Sequence, residues 1–304
     1  MKILTLRRKT WLTPLALLAS FAITGCAAST TVRAPEAGIR VTKDATKETL
    51  LAAYNHTAAG ITTLNLSADL VPSAGKAYSG IIQQYHEVSA FILAKRPSEV
   101  RMIGQVLSKN IFDMTSDGET FHIFIPTKNK FMVGPASLER PAEKPIENIR
   151  PQHLLDALFW PEIPAGASVV IQEDDEVSAR YYILSVLAPG ASPEIERNLW
   201  FDRSDLHLAR IQIYGPAGKL VSDIRLEVWQ ATAPTPATSS TISTGSFEYP
   251  RHITMQRPHD DYKLDIKVKK VSLNEAISDD RFQLQQPVGT ELVKVGEAGA
   301  GKQQ

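Results

Sequence analysis

Few residues in this 304-residue sequence stand in patterns that do chemistry. None of the seven histidines lies at a metal-ligand spacing such as H-E-x-x-H. The one tight group of histidine and acid is His259-Asp260-Asp261, directly after Pro258, and its composition is typical of a solvated turn. The acidic run Glu173-Asp174-Asp175-Glu176 lacks the alternating ligands and the glycine of a calcium loop, so we interpret it as a hairpin tip.

Motifs for covalent catalysis and for phosphate binding are also missing from the sequence. There is no G-x-S-x-G nucleophile elbow and no glycine-rich phosphate loop. The 33 basic residues balance 33 acidic ones, aromatic residues make up 7%, and no Lys/Arg stripe interleaves with them. Nucleic acid is therefore not an expected partner. We predict a non-enzymatic protein without a metal or catalytic site.

The single cysteine, Cys26, lies at the end of a targeting segment. A lone cysteine forms no internal disulfide, so the fold must rest on its own core. Residues 1–10 are basic, and residues 11–23 are apolar but include Pro14. A membrane-spanning helix needs about 20 apolar residues, so this shorter run is typical of a secretory signal.

The stretch Ile23-Thr24-Gly25-Cys26 resembles a bacterial lipobox. This resemblance implies cleavage before Cys26, which would carry a diacylglycerol thioether and an N-acyl chain and no other cofactor. Ala27, in place of the aspartate that retains lipoproteins at the inner membrane, resembles an outer-membrane signal. Several acyl chains anchor a protein stably, so we expect a protein on the periplasmic face of the outer membrane. The alternative is an incidental cysteine near an ordinary cleavage site.

Two helices are predicted in the remaining chain. The first begins at a cap provided by Asp44 or Thr42 and ends near Gly60, and its apolar residues recur at helical spacing: Leu50, Leu51, Tyr54 and Ala58. The second lies between Pro151 and Pro161. Its apolar stripe predicts a lid lying across a sheet, and consists of Leu154, Leu155, Leu158 and Phe159.

Period-two patterns predict about 11 strands. Asp117-Gly118 predicts a hairpin that pairs residues 110–116 with 119–126, and a second hairpin is expected around residues 173–177. Further runs are predicted at residues 61–70, 98–107, 195–202, 206–214, 219–229, 247–256 and 261–271. We expect a mainly β protein: one strongly curved antiparallel sheet that forms an unclosed half-barrel, with helices as plug or lid. A β-sandwich is the competing layout.

The domain boundaries follow from composition. We predict a signal peptide over residues 1–25, a lipidated flexible tether over 26–43, a half-barrel domain over 44–288, and a disordered tail over 289–304. Residues 231–246 are rich in proline, threonine and serine, and are expected to form a surface loop between strands.

The order of three groups of motifs resembles the lipoprotein-localisation factors LolA and LolB, and a wider set of lipoproteins built like them. The first is "TLLAAY" at residues 49–54 with "ITTL" at 61–64, and the second is the hairpin "MTSDGETFHIFIP" at 114–126. The third is "VSLN" at 271–274 with "ISDDRF" at 277–282 and "QPVG" at 286–289. The resemblance covers most of residues 44–295.

This resemblance implies an apolar cavity that holds the acyl chains of a lipoprotein or a lipid. It also implies a membrane-reaching leucine, to which Leu107 is the nearest match by position, and a lid-latching arginine that no motif locates here. Strands that are apolar on both faces, such as "YYILSVL", must either line such a cavity or be packed on both sides. The leading hypothesis is lipoprotein localisation or lipid trafficking at a membrane, and the alternative is an adaptor that docks onto an envelope protein complex.

Overall fold

A computed structural model of the chain describes residues 41–75, 83–137, 150–175, 179–190, 192–232 and 247–296. Cys26, the signal segment and most of the tether lie outside these residues, as do residues 233–246 of the predicted surface loop. The described part contains two α-helices, α1 (Lys47–Gly60) and α2 (Pro151–Leu158). No helix in the described residues has the length and apolar character needed to cross a membrane.

All strands in the described residues belong to one sheet. In chain order they are β1 (Thr63–Ala74), β2 (Gln83–Gln84), β3 (Val88–Lys95), β4 (Glu99–Val106), β5 (Lys109–Ser116), β6 (Thr120–Ile125), β7 (Lys130–Pro135), β8 (Ser168–Asp175), β9 (Arg180–Leu187), β10 (Ile195–Asp202), β11 (Leu208–Gly215), β12 (Lys219–Ala231), β13 (Glu248–Arg257), β14 (Tyr262–Leu273) and β15 (Glu291–Lys294). Across the sheet the order is β15-β7-β6-β5-β4-β3-β1-β14-β13-β12-β11-β10-β9-β8, with β2 beside β1.

The sheet is a curved, unclosed half-barrel, because β15 and β8 form its two ends and do not pair with each other. The expectation of a single curved sheet with helices is therefore confirmed, and the β-sandwich alternative is wrong for the described residues. All strand pairings in the described residues are antiparallel except the one between β15 and β7, which is parallel. Both predicted hairpins are confirmed, as β5 with β6 and as β8 with β9.

The core lies on the inner face of the sheet, which α1 and α2 cover. On β14, Leu264, Ile266 and Val268 are buried, whereas the alternating lysines are exposed, as the period-two pattern predicts. The neighbouring strand β1, which pairs with β14, contributes Leu66 and Leu70 to the same cluster of buried residues. Leu50, Tyr54 and Ala58 of α1 are buried in this cluster, so the helix packs through its predicted stripe.

Strand β9, the "YYILSVL" run, is buried on both faces. Tyr182 and Leu184 belong to the inner core cluster, whereas Ile183, on the outer face, is only 3% exposed. Ile183 lies directly across from Trp200 of β10, whose large ring lies on the outer face. Side chains on the outer face therefore cover β9 on its second side. The apolar pattern of both faces is explained by packing on both sides of the strand.

Several expectations are corrected by the structure. Helix α1 is capped by Thr46 and not by Asp44 or Thr42: the Thr46 hydroxyl oxygen accepts from the Thr49 amide at 3.2 Å. The predicted disordered tail is wrong for residues 291–294, because these form β15 and pair with β7. An Asn129 side-chain amide that donates to the Gly289 carbonyl at 2.9 Å helps to hold the start of this segment.

The estimate of about 11 strands is too low, since the structure describes fifteen. The four that were missed are β2, β3, β7 and β15. In β3 the buried positions are Val88, Ala90, Ile92 and Ala94, so the alternation is present but half of it consists of alanine. Alanine carries little β-propensity, which weakens the signal. β2 and β15 are too short to show a period at all.

Candidate functional site

A cavity of about 280 Å³ lies between α1, the segment after α2, and strands β10 to β13. Its walls are mainly aromatic and aliphatic, and include Tyr54, Trp160, Phe201, Leu208, Trp229 and Phe247. Ligand pockets of about 300–1,000 Å³ with apolar walls and a few polar groups are typical for small molecules. The cavity is slightly smaller than that range, and its lining favours an apolar ligand.

In the wall of the cavity, Trp160 contacts two other aromatic rings. Its ring lies 5.5 Å from the Trp229 ring and 6.2 Å from the Tyr249 ring, measured between centroids, and the residue is only 3% exposed. The Tyr249 hydroxyl donates to the Leu158 carbonyl at 3.2 Å, which ties the C-terminal end of α2 to β13. Offset aromatic contacts of this kind stabilise a rigid wall.

The segment after α2 is fastened to α1 and to the β3–β4 turn. Arg96 donates from Nη2 to the Trp160 carbonyl at 2.8 Å and from Nε to the Ile61 carbonyl at 2.9 Å, and its guanidinium lies 5.0 Å from the Phe159 ring centroid. Asn55 exchanges two hydrogen bonds with the backbone of Ile163, each of 2.9 Å. The motifs did not indicate Arg96, because only the tertiary fold brings its turn to the end of α2.

One rim of the cavity is polar. His207 contacts Glu248 through Nε2 at 2.7 Å and Asp205 through Nδ1 at 3.0 Å, and it stacks on Trp229 with 5.2 Å between ring centroids. Burial lowers the pKa of His207, but its hydrogen bonds to the Glu248 and Asp205 carboxylates outweigh the effect of burial, so that the pKa is raised overall. Each ring nitrogen of His207 therefore already faces a carboxylate.

The predicted lid residues lie in the packed core. Leu154, Leu158 and Phe159 are at most 6% exposed, Leu155 is partly buried, and α2 packs against β4 and β5. None of these four residues is part of the lining of the cavity. Their role as a lid that opens stays a prediction.

Of the two other predicted site residues, Leu107 and Cys26, the structure describes only Leu107. Leu107 lies at the tip of the β4–β5 hairpin and is 93% exposed, which is the placement that a membrane-contacting residue requires. Cys26 lies outside the described residues. Trp160, Trp229 and Phe201 line the cavity, and no sequence motif indicates them as site residues.

The two acidic groups of the sequence lie in turns and ion pairs. Asp260 accepts from Arg257 Nε at 2.5 Å in the β13–β14 turn, and Glu173 accepts from Arg203 Nη1 at 2.8 Å. Within the described ranges, no group of three or more His, Cys, Asp or Glu side chains is arranged to hold a metal ion.

A second hollow of about 580 Å³ lies on the outer face of β9 to β12 and is mainly polar. It is lined by Tyr181, Trp200, Arg210, Arg225 and Val228, among others. Val228 has φ +59° and is 58% exposed, an unusual backbone conformation for a β-branched residue. The mainly polar lining of this hollow differs from the apolar lining of the first cavity.

No protein-family model matches the sequence, and no curated protein matches it significantly. The chain is similar in fold to solved structures. A LolA superfamily protein from Nitrosomonas europaea is 11% identical, and the match covers 79% of this chain and 99% of that chain with a TM-score of 0.44. A DUF1329 family protein from Desulfovibrio piger is 12% identical over 77% of this chain and 94% of that chain, with a TM-score of 0.46.

A domain from Vibrio parahaemolyticus, described as an outer membrane lipoprotein-sorting protein, is 7% identical over 76% of this chain and 95% of that chain, with a TM-score of 0.45. At these identities the similarity concerns the fold alone.

A first prediction concerns His153 of α2, whose Nδ1 lies 2.7 Å from the Tyr262 hydroxyl oxygen. Burial lowers the pKa of His153 to about 2, so the folded protein keeps it neutral. The unfolded chain protonates it below about pH 6.5. The stability that neutral His153 contributes is therefore present above pH 6.5 and is lost as the pH falls toward the folded-state pKa.

Urea unfolding at pH 7.5 and pH 5.0 should show that His153→Gln loses less stability on acidification than the wild type. The difference is expected to approach about 1.4 kcal/mol per pH unit below pH 6.5. The control is His259→Gln in the exposed β13–β14 turn, which should follow the wild type. Equal acid sensitivity of the His153→Gln variant and the wild type would show that His153 is not kept neutral by the fold.

Proposed function

We propose that this protein is a periplasmic lipoprotein, anchored in the outer membrane through acyl groups on Cys26, that binds the acyl chains of a lipoprotein or lipid. The observation that carries this proposal is the aromatic-walled cavity of about 280 Å³ between α1 and strands β10 to β13. The role is one of binding and transfer, without catalysis, as part of lipoprotein localisation or lipid trafficking.

The energetics of the cavity favour an acyl chain. Each methylene group moved from water into an apolar environment gains about 0.8 kcal/mol, which is about four-fold in affinity. The aromatic walls are rigid and pre-formed, so little ordering free energy opposes binding. We therefore expect affinity for a homologous series of acyl compounds to rise with chain length and to level off when the cavity is full.

A matched pair of α1 variants tests the cavity. Ala53 and the adjacent Ala52 are both exposed, but only Ala53 lines the cavity, at its mouth. Ala53→Phe should place a ring in the cavity and weaken binding of a fluorescent acyl probe at least ten-fold, because the ring occupies volume that the chain needs. Ala52→Phe should bind like the wild type. Equal affinity of the two variants, or no probe binding by the wild type, would contradict the proposal.

The anchor is tested through Cys26. Cys26→Ser removes the thiol that the lipobox resemblance marks for modification, and a protein without acyl chains has no stable hold on the bilayer. We expect the variant to be recovered in the soluble periplasmic fraction, whereas the wild type floats with outer membranes after a high-salt wash. If the variant still floats with the membranes after that wash, the lipobox interpretation is wrong.

The conformation of the β4–β5 turn supports a role for Leu107 outside the fold. Leu107 and Ser108 have φ +48° and +63°, and form a two-residue hairpin loop of the kind that favours Asn-Gly. A leucine there is disfavoured by its backbone and gains almost nothing from burial, since it is 93% exposed. We propose that this side chain enters the membrane surface when cargo is transferred.

Two substitutions at Leu107 test this role. Leu107→Glu should abolish binding of the non-acylated protein to anionic lipid vesicles with a melting temperature close to that of the wild type. Leu107→Asn should also lose vesicle binding, but melt at a slightly higher temperature because asparagine tolerates positive φ.

The control for these variants is Val288→Glu, at another fully exposed apolar residue, and it should keep vesicle binding. A large fall in melting temperature for Leu107→Glu would show that Leu107 serves the core. Unchanged vesicle binding would show that the hairpin tip does not touch the membrane.

A second candidate function is that of an adaptor that docks onto an envelope protein complex. The observation that favours it is the polar outer hollow of about 580 Å³ with the strained, exposed Val228 at its wall. Crosslinking in intact cells that recovers a protein partner at this face, together with an Ala53→Phe variant that functions normally, would favour the adaptor over the carrier.

A further inference from the structure

The polar hollow of about 580 Å³ on the outer face is bordered by irregularities in two neighbouring strands. Ala209 of β11 is the unpaired residue of a β-bulge between β10 and β11. Val228 of β12 has φ +59° and is 58% exposed. Both residues line the hollow. Bulges and strained backbone are concentrated at functional sites, so these two departures from a regular sheet indicate that the hollow is a binding site.

Two arginines in the lining of the hollow lie directly opposite each other, Arg210 of β11 and Arg225 of β12. Like charges at opposite positions of a sheet destabilise it. Arg210 is compensated, because its Nε donates to Asp223 Oδ1 at 2.7 Å and its guanidinium lies 5.2 Å from the Trp200 ring centroid. Arg225 is exposed and, within the described ranges, forms no hydrogen bond or ion pair. Arg225 therefore adds repulsion to the fold and remains available to a ligand.

The carboxylates in the lining, in contrast, have partners within the protein. Asp202 accepts from the Ser204 amide at 2.7 Å, Asp205 lies 3.0 Å from His207 Nδ1, and Glu227 lies 2.8 Å from His252 Nδ1. These contacts offset much of the negative charge in the hollow, and a carboxylate has lone pairs for further hydrogen bonds. A ligand in the hollow thus meets acceptors, a free guanidinium donor and little net repulsion.

The lining also contains two aromatic rings, those of Tyr181 and Trp200, which meet edge to face with 5.5 Å between centroids. A sugar hydroxyl can donate to a carboxylate and accept from a guanidinium, and the C–H faces of a sugar ring pack against aromatic rings. An apolar ligand would leave the polar groups without partners. A protein partner would anchor mainly through large aromatic side chains and arginines in well-packed, desolvated pockets, which this open and mainly polar hollow does not provide.

We propose that the outer hollow binds an oligosaccharide that carries a carboxylate, and that Arg225 donates hydrogen bonds to this carboxylate. The volume lies within the range of about 300–1,000 Å³ that is typical of ligand sites. This inference goes beyond the proposed function, because the site lies on the outer face of the sheet and its argument does not use the acyl cavity.

The experiment compares two tetrasaccharides by isothermal titration calorimetry on the purified full-length protein at pH 7.5. One is chitotetraose, which is neutral. The other alternates N-acetylglucosamine with N-acetylmuramic acid, so that it has the same backbone and adds carboxylates. The wild type should bind the acidic sugar about ten-fold more tightly than chitotetraose, because a hydrogen bond between two charged groups is a strong one.

Arg225→Thr should remove this preference, so that both sugars bind with the affinity of chitotetraose. Its melting temperature should equal or exceed that of the wild type, because the substitution relieves the opposed charges and threonine favours strands. The control is Lys263→Thr, which removes one positive charge from an exposed position of β14 outside the hollow, and it should keep the preference.

Three results would overturn the inference. They are equal affinity of the wild type for the two sugars, an unchanged preference in Arg225→Thr, and no binding of either sugar. If no sugar binds and crosslinking recovers a protein at this face, the hollow belongs to the adaptor function instead. Binding of the acyl probe should be unchanged in Arg225→Thr, so a failure here leaves the proposed function standing.

Discussion

The antiparallel pairing of β1 with β14 is the constraint on which the rest of the structure depends. It joins the first strand of the domain to its last long strand, and it places Leu66 opposite Val271 and Leu70 opposite Ile266. One meander, β3 to β7, extends from the free side of β1, and another, β13 back to β8, extends from β14. A slip of one residue in this central register would turn the leucines of β1 to the outer face and remove the core.

A single open sheet of this width leaves one large apolar face that must be covered. The two helices provide 14 and 8 residues for that task, which is little for so many strands. Helix α2 covers the β4–β5 side, and α1 lies opposite the segment that follows α2. The aromatic residues around Trp160 fill most of the space that remains, and the cavity is what they leave open.

The polar groups near this cavity are arranged so that little charge is available inside it. His207 contacts two carboxylates, Arg96 donates hydrogen bonds to backbone carbonyls, and Asn55 is hydrogen-bonded to the backbone of Ile163. These bonds fix the positions of the cavity walls. They also occupy the polar groups near the cavity with partners from the protein itself.

The sequence by itself determined the local elements: the stripe of α1, the Asp117-Gly118 hairpin, and the alternation of "KLDIKVKKV" in β14 all follow from side-chain periodicity and turn chemistry. It did not indicate β3, whose buried face is half alanine, or β15, whose four residues depend on a parallel pairing with β7. Only the tertiary structure decided the cavity, because its walls come from α1, Trp160, Phe201 and Trp229, which are far apart in the chain. Periodicity reports which face of one element is buried, whereas a cavity exists only where several elements meet.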